Sequence, residues 1–194
     1  MAAPPYPKIE NLYASLDGGE ARAVGVLKRP ARTGQIARWL CTEKIDGTNI
    51  RVSLEVYDGP STSGPQLCEG YRVQFYGRTN KAQMPDFIQE YLGATFKVGD
   101  MQWLWQGRRG CVNCVGAGKV LMDTVVRCHC VEPYPITLYG EVYGAGIQGG
   151  GNYRRDGGVS FRLFDVLVAE KHWLTWESVA GVAECVHQDG APAG

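Results

Sequence analysis

CTEKIDGTNIRVSLEV, residues 41–56, contains two signals side by side. From Asn49 onward the residues alternate. Ile50, Val52, Leu54 and Val56 share one side, and Arg51, Ser53 and Glu55 share the other, which is the period of a β-strand. Immediately before it, Lys44-Ile45-Asp46-Gly47 places a lysine two residues ahead of an aspartate-glycine turn, where Gly47 can take backbone angles other residues avoid. An amine attacks only after losing its proton, so a nucleophilic lysine needs burial or nearby cations to lower its pKa. Taken alone, K-x-D-G fits a surface lysine beside a hairpin turn better than it fits a nucleophile.

The strand has a partner nearby. GPSTSGPQ (59–66) is a turn or loop, and YRVQFYG (71–77) is a second strand, so the two are expected to form a hairpin. QMPDFIQEYLG (83–93) spaces Met84, Phe87, Ile88, Tyr91 and Leu92 as one helical face, with Pro85 in the first turn and Gly93 as the stop. ITLYGEVYG (136–144) and VSFRLFDVLV (159–168) are strands, and LTWESVAGVAECV (174–186) is a short helix. Between the last two strands, AGIQGGGNYRRDGG is too glycine-rich for a packed element. No strand-helix-strand rhythm repeats. The expected fold class is therefore α+β with mainly antiparallel sheets.

Composition sets outer limits. The chain has 194 residues, long enough for one domain with a core. Lys+Arg and Asp+Glu are 20 each, so a basic surface for nucleic acid would have to be local. The N-terminus, MAAPPYPKIENLY, has neither the basic start nor the apolar run of a signal peptide, and no stretch is long enough to span a membrane. A soluble, cytoplasmic protein with no membrane partner is expected. Seven cysteines, an odd and scattered set apart from one cluster, argue against a secreted disulfide framework.

PYPKIENLY, TEKIDGTNIRV, FYGRTNK, LYGEVYGAGIQ and FRLFDV occur in this order. Together they resemble the ATP-dependent RNA ligase family, in particular the branch of editing ligases and phage nick-sealing RNA ligases. Capping enzymes and DNA ligases share the K-x-D-G element, whereas the Thr48-Asn49 continuation and GEVYGAGIQ look more like the RNA ligase branch. The resemblance implies an antiparallel-sheet nucleotidyltransferase fold, an ATP-grasp-like adenylation domain whose two sheets flank a nucleotide pocket. It also implies a three-step reaction with ATP and Mg²⁺. The lysine takes AMP from ATP, AMP passes to an RNA 5′-phosphate, and a 3′-hydroxyl then displaces AMP to seal a nicked or broken RNA end. These are in-line displacements at phosphorus, governed by positioning and charge neutralisation.

Carried onto this sequence, the resemblance makes Lys44 the nucleophile and gives Asn49 a part in end joining. Glu43 falls near adenine, Arg78 near the ribose and phosphates, Glu141 against the ribose, and Phe164 stacked on adenine. Asp165 follows Phe164 without an assigned role. Alone, Asn49 would read as a turn residue, Arg78 as a solvated strand-end arginine and Phe164 as core. Glu141 lies between Tyr139 and Tyr143 on one face of its strand, which is not a core position. Arg154 and Arg155, beside the glycine run, are positioned to touch an RNA backbone or to sit in a solvated loop.

Residues 106–133 interrupt the resemblance with a Cys-rich insert. Cys111-x2-Cys114 followed by Cys128-His129-Cys130 suggests a structural Zn²⁺ site of Cys111, Cys114 and Cys128, with Cys130 or His129 as the fourth ligand. Reduced cysteines in a surface loop are the alternative. Cys41, Cys68 and Cys185 read as ordinary thiols. Two family motifs expected after Phe164, a glutamate-glycine strand and a lysine pair, are not found. The domain, 1–194, is thus expected to be truncated at its C-terminus: a fragment, a chain completed by a second polypeptide, or a ligase that has become a nucleotide- or RNA-binding module. A DNA ligase is the enzymatic alternative.

Overall fold

The computed structural model describes residues 3–8, 11–15, 22–33, 38, 43–56, 67–68, 71–101, 104, 135–148, 153–154 and 156–187. The proposed cysteine insert, 106–133, and the hairpin loop 59–66 lie outside the described residues.

The chain divides into two compact units. The smaller, Tyr6–Lys44, contains β1 (Tyr13–Ser15) paired antiparallel with β2 (Arg22–Leu27). The one-turn helix α1 (Pro30–Thr33) follows, with the Thr33 hydroxyl donating to Arg29 O at 2.8 Å.

The larger unit, Met1–Pro5 with Ile45–Gly194, is built on a six-stranded sheet. Its strands are β3 (Thr48–Val56), β4 (Leu67–Cys68), β5 (Tyr71–Tyr76), β6 (Ile136–Gly144), β7 (Val159–Val168) and β8 (His172–Trp173). The order is β4-β5-β3-β6-β7-β8, and every pair is antiparallel. The expected hairpin is the β3–β5 pair, and the α+β expectation holds. β3 and β6 form because β-branched and aromatic residues alternate along them and pack well on a pleated surface. β6 is flanked on both sides, so all but two of its residues are buried.

One face of this sheet is apolar. Ile50, Val52 and Leu54 of β3, Ile136, Leu138 and Val142 of β6, and Phe161, Leu163 and Val166 of β7 join a single core. It takes in the helices α2 (Asp86–Thr95), α3 (Val98–Met101) and α4 (Trp176–His187) through Ile88, Leu92, Val98, Met101, Val179 and Val182. Burying each large aliphatic side chain contributes about 1.5–3 kcal/mol. An added Cβ at Gly140 would overlap the Phe161 ring, which meets Phe96 edge-on at 5.1 Å.

Helix α2 departs from its sequence expectation at both ends. Pro85 holds extended backbone ahead of the helix (φ −55°, ψ 144°), and Gly93 lies inside it. The helix continues past Gly93 because Phe96 has to reach the core: its N–H donates to Leu92 O at 2.8 Å and its ring is buried. Ile88 and Leu92 carry the apolar face, whereas Phe87, expected on it, is exposed. Helix α4 begins after Thr175, whose hydroxyl accepts from the Ser178 N–H at 3.4 Å, a long capping contact. Among the described residues, no helix is long and apolar enough to cross a membrane.

Candidate functional site

The second face of the sheet is polar in sequence yet largely shut. Residues directly opposite each other on neighbouring strands share a face. Arg51 on β3 pairs with Tyr76 on β5 and Tyr139 on β6, and Tyr139 pairs with Asp165 on β7. Arg51 and Tyr139 are fully buried, and Ser53, Glu55 and Thr137 nearly so. Their polarity is met locally. The Arg51 guanidinium donates to Gly77 O from Nε (3.0 Å) and Nη2 (2.8 Å), to Asn80 Oδ1 (2.9 Å) and to Ala3 O. It also lies over the Tyr76 ring at 5.3 Å. Burial lowers its pKa from the usual arginine value. Glu55 accepts from Arg72 Nη2 and the Tyr76 hydroxyl, each at 2.9 Å. Tyr139 donates to Pro4 O at 2.9 Å. Burial pushes the phenols of Tyr139 and Tyr76 up to about 12.

The same face opens one row further on. Asn49 pairs directly with Glu141, and Glu141 with Arg162, so an amide, a carboxylate and a guanidinium stand on adjacent strands in one row. Asn49 and Glu141 are half-buried and Arg162 is exposed.

The Asp46-Gly47 segment is fastened beside this row. An added Cβ at Gly47 would collide with Val142 O and lie 2.8 Å from Glu141 Cγ. The glycine therefore permits close approach to β6. The left-handed angles open to a glycine are not used here, since φ at Gly47 is not positive. Gln148, itself left-handed at φ 52°, donates from Nε2 to Gly47 O at 3.2 Å. The Asp46 N–H donates to the Tyr153 hydroxyl at 3.1 Å, and the Tyr153 ring meets Tyr143 edge-on at 5.7 Å. Part of the glycine-rich stretch is thus a packed element, contrary to expectation: Ile147 joins the core and Gln148 and Tyr153 hold the turn.

Phe164 sits at a β-bulge. Tyr139 pairs with Asp165 but the next residue, Gly140, pairs with Leu163, which leaves Phe164 as the extra residue on β7. The core phase shifts there, from Phe161 and Leu163 to Val166, and Phe164 is half-buried and outside the core cluster. A bulge re-aims a side chain that strict alternation would direct elsewhere. Here the extra residue falls between Leu163, opposite Gly140, and Asp165, opposite Tyr139 in the buried row.

The segments that meet in this region fall within the stretch matched by a family model for RNA ligase, residues 37–192. The chain belongs to the RNA ligase family. No curated protein and no solved structure matches it. RNA ligation is accordingly its general function, and RNA its class of substrate.

In this ligase the residues expected from sequence are distributed as follows. Asn49 and Glu141 are brought into register, and Phe164 is the half-buried extra residue of the bulge on β7. Arg78 is exposed on the turn that follows β5, whose flanks Gly77 and Asn80 are gripped by Arg51. Glu43 and Lys44 are exposed and end the smaller unit, and Ile45 begins the larger. Arg154 is engaged by Asp156 and by Ser160 Oγ at 2.6 Å, which ties it into the loop, and this pairing holds the Asp156 carboxyl well below the usual range. Arg155, Cys111, Cys114, Cys128, His129 and Cys130 lie outside the described residues.

Sequence reading missed Arg51, Arg162, Gln148 and Tyr153. Alternation places Arg51 on the polar face but does not say that the face is covered. Arg162 becomes visible only through the register that sets it against Glu141.

Proposed function

We propose that the protein is an ATP-dependent RNA ligase of the editing-ligase and phage nick-sealing branch, working through a lysyl-AMP intermediate on Lys44. The supporting observation is the row of Asn49 and Glu141 at the open end of the sheet, with the Asp46-Gly47 segment fastened against it. Lys44 lies two residues before Asp46 of that anchored segment.

In the first step the Lys44 amine attacks the α-phosphorus of ATP. A P–N bond forms, the bond to the bridging oxygen breaks, and pyrophosphate leaves. The RNA 5′-phosphate then takes AMP from the lysine, and a 3′-hydroxyl attacks that phosphate to form the phosphodiester and release AMP. Glu141 is assigned to the ribose, Phe164 to the adenine face, Glu43 to the adenine edge, Arg78 to the ribose and phosphates, and Asn49 to the end-joining step. A planar guanidinium suits a phosphate with several acceptor oxygens. Stacking of a base on an aromatic ring contributes about 1–3 kcal/mol.

Mg²⁺ would neutralise phosphate charge in these displacements. Among the described residues no three His, Cys, Asp or Glu side chains cluster to hold a metal alone. An ion held by one or two carboxylates together with substrate phosphates needs no such cluster; Glu141 in the open row and Asp46 in the segment fastened beside it are the residues proposed for it. The proposal extends to a nucleotidyltransferase adenylation domain carrying a Cys-rich insert at 106–133, with structural Zn²⁺ on Cys111, Cys114, Cys128 and Cys130 or His129.

The test is intact mass after incubation with ATP and Mg²⁺. The expected result is that the wild type gains one AMP and Lys44→Ala gains none. AMP on both proteins moves the nucleophile elsewhere. AMP on neither removes the lysyl-AMP step and leaves a nucleotide- or RNA-binding module.

A further inference from the structure

A fully buried arginine is a costly choice for the middle of a sheet. Taking a guanidinium out of water is unfavourable unless its donors are met, and an apolar side chain of similar size is often no less stabilising. Among the described residues no carboxylate pairs with Arg51. Its hydrogen-bond partners are two backbone carbonyls and one side-chain amide. The bonds concentrate on one short turn. Nε and Nη2 both reach Gly77 O, the carbonyl just before Arg78, and Nη2 also reaches Asn80 Oδ1, two residues after it. The turn is tight: Ala82 N–H donates to Thr79 O at 3.2 Å, and an added Cβ at Gly77 would lie 2.8 Å from that of Ala82. Arg78 itself is exposed. A long side chain on an exposed turn has many rotamers, and ordering it costs free energy when it meets a ligand. With the backbone fixed on both sides of Arg78, only the side chain is left to be ordered.

We propose that Arg51 is a positioning residue: by gripping Gly77 and Asn80 it fixes the turn from which Arg78 meets the phosphates of the bound nucleotide. This rests on the assignment of Arg78 to the nucleotide. Arg51 touches no reacting atom, and its action passes through the turn.

A double-mutant cycle on ATP binding tests this, read by calorimetric titration of the whole chain. Asn80→Ala removes one end of the grip from an exposed position and leaves Arg51 buried, so it is the variant that keeps the fold. The expected result is that Asn80→Ala weakens ATP binding about 2- to 10-fold, the size of one ordinary hydrogen bond, and lowers the unfolding midpoint by no more than one lost hydrogen bond would, so that the variant stays folded at the titration temperature. Arg78→Ala is expected to weaken binding further, and the double variant to be no weaker than Arg78→Ala alone. Arg51→Lys, which keeps the charge and loses the fork, is expected to behave like Asn80→Ala in both backgrounds. Losses that multiply in the double variant overturn the proposal, because Asn80 would then act independently of Arg78. Unaltered binding in Asn80→Ala, or in Arg78→Ala, also overturns it. Wild-type protein that binds ATP without gaining AMP removes the lysyl-AMP step and leaves the cycle readable. Wild-type protein that binds no ATP removes both.

Discussion

Across Val52, Leu138 and Val166 the six-stranded sheet is shut on both faces, with Arg51 and Tyr139 buried in the neighbouring row on the polar side. Three residues further along β6, at Asn49, Glu141 and Arg162, it is shut on one face only. The same strands and the same alternation run through both places. In the middle, every polar group has to find a protein partner, and among the described residues no buried side-chain nitrogen or oxygen lacks one. At the open end polar groups keep access to water, and so to a substrate. The middle therefore sets stability and the end sets chemistry, and substitutions in the two places should separate these properties.

Leu138→Ala should give the largest effect. Leu138 is fully buried in the core, and truncation there typically costs about 2–5 kcal/mol. Urea unfolding measures it, and adenylation per folded molecule should persist. A loss well under 1 kcal/mol would mean that the middle is loosely packed. Glu141→Ala should do the reverse. Adenylation should fall about 100-fold, a typical loss for one polar group aimed at a transition state, while stability falls by no more than about 1 kcal/mol, well short of the Leu138→Ala loss. A destabilised variant with normal adenylation would place Glu141 with the middle of the sheet and break the comparison.

How far the sequence could be read follows the same division. β6 and β7 run Ile136–Gly144 and Val159–Val168, the spans expected from their alternation, because β-branched and aromatic runs bounded by turn residues carry a local signal. Asn49, Glu141 and Phe164 were legible as candidates through the motifs around them. Their arrangement was not. That Asn49 opposes Glu141 depends on a pairing between residues far apart in the chain, and the bulge at Phe164 depends on a one-residue shift in the next ladder. Alternation also gives a residue's face without saying what covers that face. Hence Arg51, on the polar side of β3, proves to be fully buried. A glycine in a turn signals backbone freedom, whereas Gly47 supplies room beside Val142 and Glu141.

Alkaline unfolding probes the closed side of the middle with the smallest expected effect. The folded-state phenol of Tyr139 is pushed up from 10.0 to about 12, chiefly by burial, with the Arg51 charge pulling the other way. Tyr76 reaches about the same value through burial and its hydrogen bond to Glu55. A pKa raised by folding means that the folded state prefers the neutral phenol. The stability this represents is fully present below pH 10 and is lost as pH rises from 10 to 12. Tyr139→Phe keeps the ring and deletes the hydroxyl that donates to Pro4 O, so at neutral pH it should cost about 1 kcal/mol. Between pH 10 and 12 it should lose less stability than the wild type, because one of the two raised phenols is gone. If the alkaline loss is the same in both proteins, Tyr139 already titrates as a solvated phenol, and the polar face is open in the middle as well as at the end.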